Sequence, residues 1–210
     1  MAEPGDGVAF SLLLRPSVPG GGALPVDRWG WITLAAGLAM ARAIRDAVPA
    51  TADVGLKWPN DVQVDGLKAC GILAEMLPGG AGLVLGAGVN LETPAERLPT
   101  PSSTSLRLRG TPLEGDGLVD AVCGGFLEQF QPLYARLLDS SGDAVASGVA
   151  REVEASCTTI GREVVVTLPG APSLTGLATG LDAGGRLEVR GPEGIRTPVA
   201  AGDVTHLRYE

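Results

Sequence analysis

The chain has 210 residues, 45% of them apolar, enough for one ordinary domain or for a domain of roughly 150 residues with a small companion. Its 16 basic residues stand against 24 acidic ones, a formal charge of −8 with no lysine–arginine cluster, so nucleic acid is not expected as the main partner. Cys70, Cys123 and Cys157 are widely spaced and share the chain with one histidine, His206, which argues against a Cys/His metal site and fits a reducing cytosol. Met1 to Asp6 have neither the basic start nor the apolar core of a secretory leader. The longest apolar stretch, around Leu34 to Ala41, is too short for a bilayer, so neither leader nor span is expected.

Val8 to Arg15 is a short apolar run and reads as a buried strand. Pro16 to Pro25 is a Gly/Pro loop. Over Val26 to Val48 the positions Trp31, Leu34, Ala35, Leu38, Ala41 and Ile44 keep helical spacing, and Arg42 and Arg45 lie off that face, which predicts a helix ended by Pro49. Val54 to Trp58 reads as a strand stopped by Pro59. Val62 to Val64 and Leu67 to Met76 flank Asp65-Gly66, a strong hairpin signal. Pro78 to Gly80 is a turn, and Gly82 to Leu91 a further central strand. A polar, Pro-rich loop covers Pro94 to Ser103. Leu118, Val122, Phe126, Phe130, Leu133 and Leu137 then mark one face of a helix over 117–138, and another helix is expected over 144–156.

From Thr159 the pattern changes to short strands: Glu163 to Leu168, Leu174 to Leu181, Leu187 to Val189, Ile195 to Val199 and Val204 to Tyr209. Pro169-Gly170, Gly184-Gly185 and Gly191-Pro192 punctuate them. That spacing predicts a small β-barrel. The expected organisation is an α+β unit over 1–157 and a barrel over 158–210, too small for much stability alone and so packed on the first unit.

Three elements could carry chemistry. Asp61, in the run Lys57-Trp58-Pro59-Asn60-Asp61, would sit at a strand end and project into a cleft. Lys68 lies on the opposite arm of the predicted hairpin and should come near it. As a plain surface ion pair the two would be worth only about 0–1 kcal/mol. Gly71, inside a strand, suggests close approach of a ligand or backbone. The small-residue run Gly86-Ala87-Gly88-Val89-Asn90 leaves room for a flat ligand or serves close strand packing; it is not a dinucleotide fingerprint.

Taken together, Lys57 to Val62 (KWPNDV), the pattern Lys68-x-x-Gly71-Ile72-Leu73-x-Glu75, and Gly86-x-Gly88-Val89-Asn90-Leu91 resemble the catalytic unit of biotin–protein ligases, the biotin–[acetyl-CoA-carboxylase] ligases. Thr175 to Asp182, Gly184 to Leu187 and Ala201 to Val204 resemble the small SH3-like barrel of that family, and Phe10 to Pro16 extends the likeness to the start of the chain. Lipoate ligases share the Asn-Asp plus Lys arrangement; the Lys-Trp-Pro lead-in and Gly-Ile-Leu-x-Glu favour biotin.

The resemblance implies a class II synthetase-like α+β fold, with helices on a mixed or antiparallel sheet. It implies ATP-dependent formation of biotinyl-5′-AMP, then transfer of biotin to a lysine of a biotin carboxyl carrier protein, in the cytoplasm. Lys68 and Asp61 take the catalytic positions. Lys57, Trp58, Asn60, Gly71, Ile72, Leu73, Gly86, Gly88 and Asn90 take those that bind biotin or nucleotide. ATP and biotin are the implied substrates, Mg²⁺ is expected on the ATP phosphates, and a homodimer is left open.

The family also carries a Gly-Arg-Gly-Arg-x-Gly-Arg loop ahead of the first strand, with further elements upstream. This sequence has only a few residues before Val8. The expectation that follows is an N-terminally incomplete unit that holds the adenylate poorly and leaves apolar surface uncovered. The alternatives are a non-catalytic module that binds biotin or the carrier, and a lipoate–protein ligase.

Overall fold

The computed structural model describes residues 5–168, 170, 172–200 and 202–207, and their ten strands form two antiparallel sheets of five. The first strand, β1 (Gly7–Leu14), alternates along its length and turns Val8, Phe10, Leu12 and Leu14 toward the core. A 3-10 turn at Val26–Arg28 leads into α1 (Gly30–Ala47), which is buried nearly all round. The sequence pattern starts this helix at Val26. It begins at Gly30 because Pro25 opens only a 3-10 turn, in which Trp29 N–H bonds to Val26 O and its indole reaches back to Leu24 O.

β2 (Val54–Lys57), β3 (Asp61–Val64), β4 (Leu67–Met76) and β5 (Leu83–Asn90) complete the first sheet in the order β1-β5-β4-β3-β2. α2 (Gly115–Asp139) and α3 (Val149–Ser156) join α1 on one face of it. Phe10 of β1 meets Phe126 of α2 at 5.2 Å between ring centroids, and Phe130 and Tyr134 continue that stack along the helix. α3 starts later than the pattern over 144–156 suggests. Gly148 adopts a left-handed conformation, φ 77°, and Asp143 Oδ1 holds Val145 N and Ala146 N in a turn just before it.

After Cys157 come β6 (Glu163–Thr167), β7 (Leu174–Leu181), β8 (Leu187–Arg190), β9 (Arg196–Val199) and β10 (Asp203–His206), in the order β10-β6-β7-β8-β9. Val164, Val166, Ala178, Leu187, Val189, Val199 and Val204 are buried within this small sheet. Pro169, Ala201, Arg208 and Tyr209, named in the sequence reading, lie outside the described residues. The two sheets share one apolar core. Leu56 O of β2 accepts Thr158 N–H at 2.8 Å, so the second unit begins as an extension of the first sheet's edge. Among the described residues no helix is long and apolar enough to cross a membrane.

One ionic cluster ties the three helices together. Arg42 of α1 and Arg136 of α2 reach Glu152 of α3 at 2.6 and 2.7 Å. Burial by itself would raise the Glu152 carboxyl, but hydrogen bonds from Arg42 and Arg136 outweigh it and hold it below the ordinary glutamate value of 4.5. A depressed folded value stabilises fully above the unfolded value, and the gain is lost as pH falls through the folded one. Glu152→Gln should therefore cost about 1 kcal/mol near neutral pH. It should also weaken the loss of stability on acidification below pH 4.5. Urea titrations across that range check this; superimposable pH profiles would count against the cluster.

Candidate active site on the open face of the first sheet

The hairpin between β3 and β4 turns on Asp65 and Gly66, with φ 51° and 76°, both positive as a type I′ turn requires. Val64 pairs with Leu67 and Gln63 with Lys68, but Val62 pairs with Cys70, so Ala69 is the extra residue of a β-bulge. The bulge has a chemical consequence. Residues three apart on a regular strand face opposite ways. Here Lys68 and Gly71 both lie on the face of Gln63 and Asp61, away from the helices, and Ala69, Cys70 and Ile72 are buried behind them.

Lys68 Nζ lies 2.6 Å from Asp61 Oδ1. The Asp61 side chain is 19% exposed and that of Lys68 44%, so the carboxylate is the sheltered partner. Oδ1 is buried and has no hydrogen-bond partner of good geometry, which leaves the ammonium as its compensation.

Register carries the site across the sheet. Ala9, Gly88, Gly71, Asp61 and Lys57 form one row over five strands; Ser11, Gly86 and Leu73 form the next. A Cβ on Gly71 would lie 3.2 Å from both Lys68 Cε and Nζ, so a side chain there would push on the ion pair. A Cβ on Gly86 would meet only Ser11 Oγ at 3.6 Å and Leu73 O at 3.8 Å, and one on Gly88 nothing within 4 Å. Crowding therefore does not explain Gly86 and Gly88, and neither has a positive φ. Their effect is to leave the face bare. The result is a shallow groove floored by glycine, with Leu73 standing in it 60% exposed and the ion pair at one end.

The other candidates divide by direction. Lys57 lies on the row beside Asp61 and has no ion pair among the described residues. Lys57 and Lys68 are the only two lysines in the sequence. Asn60 Nδ2 donates to Ile72 O at 2.6 Å, and Ile72 N returns a bond to Asn60 O at 2.9 Å. Asn90 Nδ2 donates to Thr104 O at 3.0 Å. Each asparagine is thus oriented by its amide NH₂, which leaves its side-chain oxygen as an acceptor. Trp58 and Ile72 turn away from the open face. Both are buried, and Trp58 sends its indole N–H to Gly185 O and its backbone N–H to Thr159 Oγ1, each at 3.1 Å.

Two supports were missed from sequence. Ser102 O accepts Lys68 N–H and Lys68 O accepts Thr104 N–H, both at 2.8 Å, so the Ser102 to Thr104 segment flanks Lys68 like a short strand. The available signal was the run Ser102-Ser103-Thr104-Ser105, unusually polar for residues that are largely buried. The anchors Thr159 and Gly185 had no local signal. Among the described residues no three His, Cys, Asp or Glu side chains are grouped to hold a metal. The arrangement therefore offers a flat apolar floor, a cation, and a sheltered carboxylate in contact with that cation.

Comparison with known proteins gives the relatives of this chain. Residues 1–90 match the biotin/lipoate A/B protein ligase family, and residues 159–207 match the biotin protein ligase C terminal domain. The chain is 37% identical over 188 residues to the biotin–[acetyl-CoA-carboxylase] ligase of Mycobacterium tuberculosis, covering 88% of this chain and 65% of that protein. It is 30% identical over 207 residues to the ligase of the same name from Paracoccus denitrificans, covering 94% and 80%. The crystal structure of biotin protein ligase from Aquifex aeolicus superposes with a TM-score of 0.74 at 23% identity, over 97% of this chain and 83% of that one. The chain thus spans just under two thirds of its mycobacterial relative and has the fold of the Aquifex protein.

Cys70 lies directly behind the site on the core side of β4. Burial foremost, and the charge of Asp61 next, push its thiol up to about 12. It should be a packing residue and not a nucleophile. In the folded protein at about pH 8, a thiol reagent should modify the half-buried Cys123 well before Cys70. Cys70 should react only once denaturant is added; labelling of Cys70 at the rate of a free thiol in folded protein would refute this.

Proposed function

The chain belongs to the biotin protein ligases of the biotin/lipoate A/B protein ligase family, and on that premise we propose that it joins biotin to ATP as biotinyl-5′-AMP and transfers biotin to a lysine of a biotin carboxyl carrier protein. The observation that carries the proposal is the Asp61–Lys68 pair at the end of a glycine-floored groove. The motif resemblance supplies the direction: biotin's fused rings lie on the bare floor beside Leu73, with backbone contact at Gly71, Gly86 and Gly88. The acceptor oxygens of Asn60 and Asn90 serve the adenylate. Trp58 and Ile72 contribute from behind the face.

In the first step a biotin carboxylate oxygen bonds to the α-phosphorus of ATP and pyrophosphate leaves. Negative charge gathers on the α-phosphate and the entering carboxylate, and Lys68 meets it with a fixed cation. Losing such a preorganised donor typically costs about 10²–10³ in rate. Lys57, one position across from Asp61, adds a second cation to the same end of the groove. In the second step the acceptor lysine's nitrogen bonds to the acyl carbon, the bond to the phosphate oxygen breaks, and AMP leaves. Only about 1 in 2,500 such amines is neutral at pH 7. Asp61, released as Lys68 turns to the phosphate, takes the proton.

Mg²⁺ would arrive on the ATP phosphates, as it commonly does. Among the described residues no three His, Cys, Asp or Glu side chains are grouped to hold it on the protein. Three free cysteines agree with a cytosolic setting for the reaction. The division at residue 157 gives the groove to the first unit and leaves the second a supporting role.

Lys68→Ala should abolish biotinyl-AMP formation, read as pyrophosphate released on mixing protein, biotin and ATP. Normal turnover in that variant would remove Lys68 from the mechanism. Asp61→Ala should slow transfer from preformed biotinyl-AMP to a carrier domain more than it slows adenylation; equal losses in both steps would reject its role as proton acceptor. Gly88→Leu should leave the melting temperature unchanged, because the position is open, and raise the KM for biotin about tenfold or more. If the unmodified chain forms no biotinyl-AMP, or activates lipoate instead, the proposal fails.

A further inference from the structure

Trp58 stands at the corner between β2 and β3, three residues before Asp61. The corner is held from two sides. On one side Asn60 fastens it to Ile72 of β4. On the other, both N–H groups of Trp58 are spent on the second sheet: the backbone N–H on Thr159 Oγ1, before β6, and the indole N–H on Gly185 O, in the turn between β7 and β8.

That turn is built to stay in place. Asp182 Oδ1 accepts from Gly184 N and Arg186 N, both at 2.9 Å, and its Oδ2 accepts from Arg186 Nε at 2.6 Å. Gly185 needs its φ of +80°, and a Cβ there would lie 2.9 Å from Leu34 Cδ1. A Cβ on Gly30 would lie 2.5 Å from Gly184 O, so both sides of the contact require glycine. Trp31 Nε1 donates to Ala183 O at 3.0 Å. The turn is therefore seated on α1 and presents the Gly185 carbonyl to Trp58 from a fixed position.

Building on the ligase reading, we propose that Trp58 is a positioning residue, through which the second sheet fixes the β2–β3 corner and so holds the Asp61 carboxylate against Lys68. The indole is buried in the core, so it acts on the reaction through Asp61 and not by touching substrate. A 2.6 Å ion pair on a short side chain is sensitive to small movements of its backbone. Misplacement by about 1 Å can cost on the order of 10²-fold in rate. The second sheet thereby has a role in the transfer step although the groove contains none of its residues.

The test uses Trp58→Phe, which keeps an aromatic filler and deletes the indole donor, and Thr159→Val, which deletes the other acceptor. Thr159→Ser keeps the hydroxyl. Melting temperature and near-ultraviolet dichroism first establish the folded fraction. Transfer of biotin from preformed biotinyl-AMP to a carrier domain, as kcat per folded molecule, should fall about 10- to 100-fold in Trp58→Phe and Thr159→Val and biotinyl-AMP formation less, with KM for biotin and ATP little changed. Thr159→Ser should behave as wild type.

An independent readout is the rate at which an amine reagent labels Lys68, followed by mass spectrometry. It should be slow in wild type and fastest in Asp61→Asn, with Trp58→Phe and Thr159→Val shifted toward Asp61→Asn. A purely structural role would lower the melting temperature and leave kcat per folded molecule and Lys68 labelling at wild-type values; either result overturns the proposal. Lack of biotinyl-AMP formation by wild type would refute the ligase reading, while Lys68 labelling would still decide whether Trp58 positions the pair.

Discussion

A strand repeats every two residues, so a lysine and a glycine three apart should look out of opposite sides of the sheet. The chemistry proposed here needs Lys68 and Gly71 on the same side, with Asp61 across from Gly71. Ala69 makes that hold: as the extra residue of a bulge it absorbs one step of the alternation and returns to the core. Everything else about the site follows from this face assignment. Without the bulge Lys68 would still share a side with Asp61's strand neighbour Gln63, but Gly71 would turn inward. A larger residue would then lie under the ion pair.

The first sheet divides its labour between its faces. The helix side is built for stability: Phe10 on Phe126, a nearly all-apolar α1, and Glu152 shared by two arginines from different helices. The open side gives up packing. Gly86 and Gly88 add no side chain where one would fit, and Leu73 stays exposed. Such a bare strip costs buried area, which a sheet can sustain only when its other face is well covered. The aromatic stack and the ionic tie are thus what permit the groove.

Much of this could be read from the residues, and the parts that could not share a cause. Asp65-Gly66 dictates a type I′ turn by local backbone conformation, so the hairpin and the nearness of Asp61 and Lys68 were legible. Apolar runs and helical spacing likewise marked the ten described strands and three described α-helices, with ends off by a few residues where Gly148 or Pro25 reset the backbone, and missed the short 3-10 turns at Ala95–Arg97 and Arg107–Arg109. The bulge at Ala69 was not legible, because it is fixed by which register buries Cys70 and Ile72, a property of the whole sheet. Nor was the direction of Trp58. A tryptophan in a binding motif suggests a surface for ligand, but its indole N–H finds Gly185 in a turn 127 residues away. Ser102 and Ser103 fall in the stretch expected as a polar, Pro-rich loop; Ser103 to Ser105 are buried, beside the backbone of Lys68 and the amide of Asn90.

The charge pattern closes the account of the site. The chain is acidic overall, and most arginines with recorded partners are matched to carboxylates: Arg42 and Arg136 to Glu152, Arg107 to Glu92 and Glu114, Arg109 to Asp65, Arg186 to Asp182. Of the two lysines, Lys57 stands in the row that contains Asp61 and Lys68, opposite Gln63, reaches Asp61 from the neighbouring row. An incoming triphosphate therefore meets both lysines at one end of the groove, in a chain whose net charge is −8. At equal geometry a phosphate oxygen and a carboxylate oxygen attract the Lys68 ammonium by the same Coulomb law. A phosphate oxygen that comes within hydrogen-bond distance of Nζ therefore competes directly with Asp61 for the cation. That competition links the two proposed steps: when the lysine serves the phosphate, the Asp61 carboxylate is left without its cation, beside the arriving amine whose proton it is proposed to take.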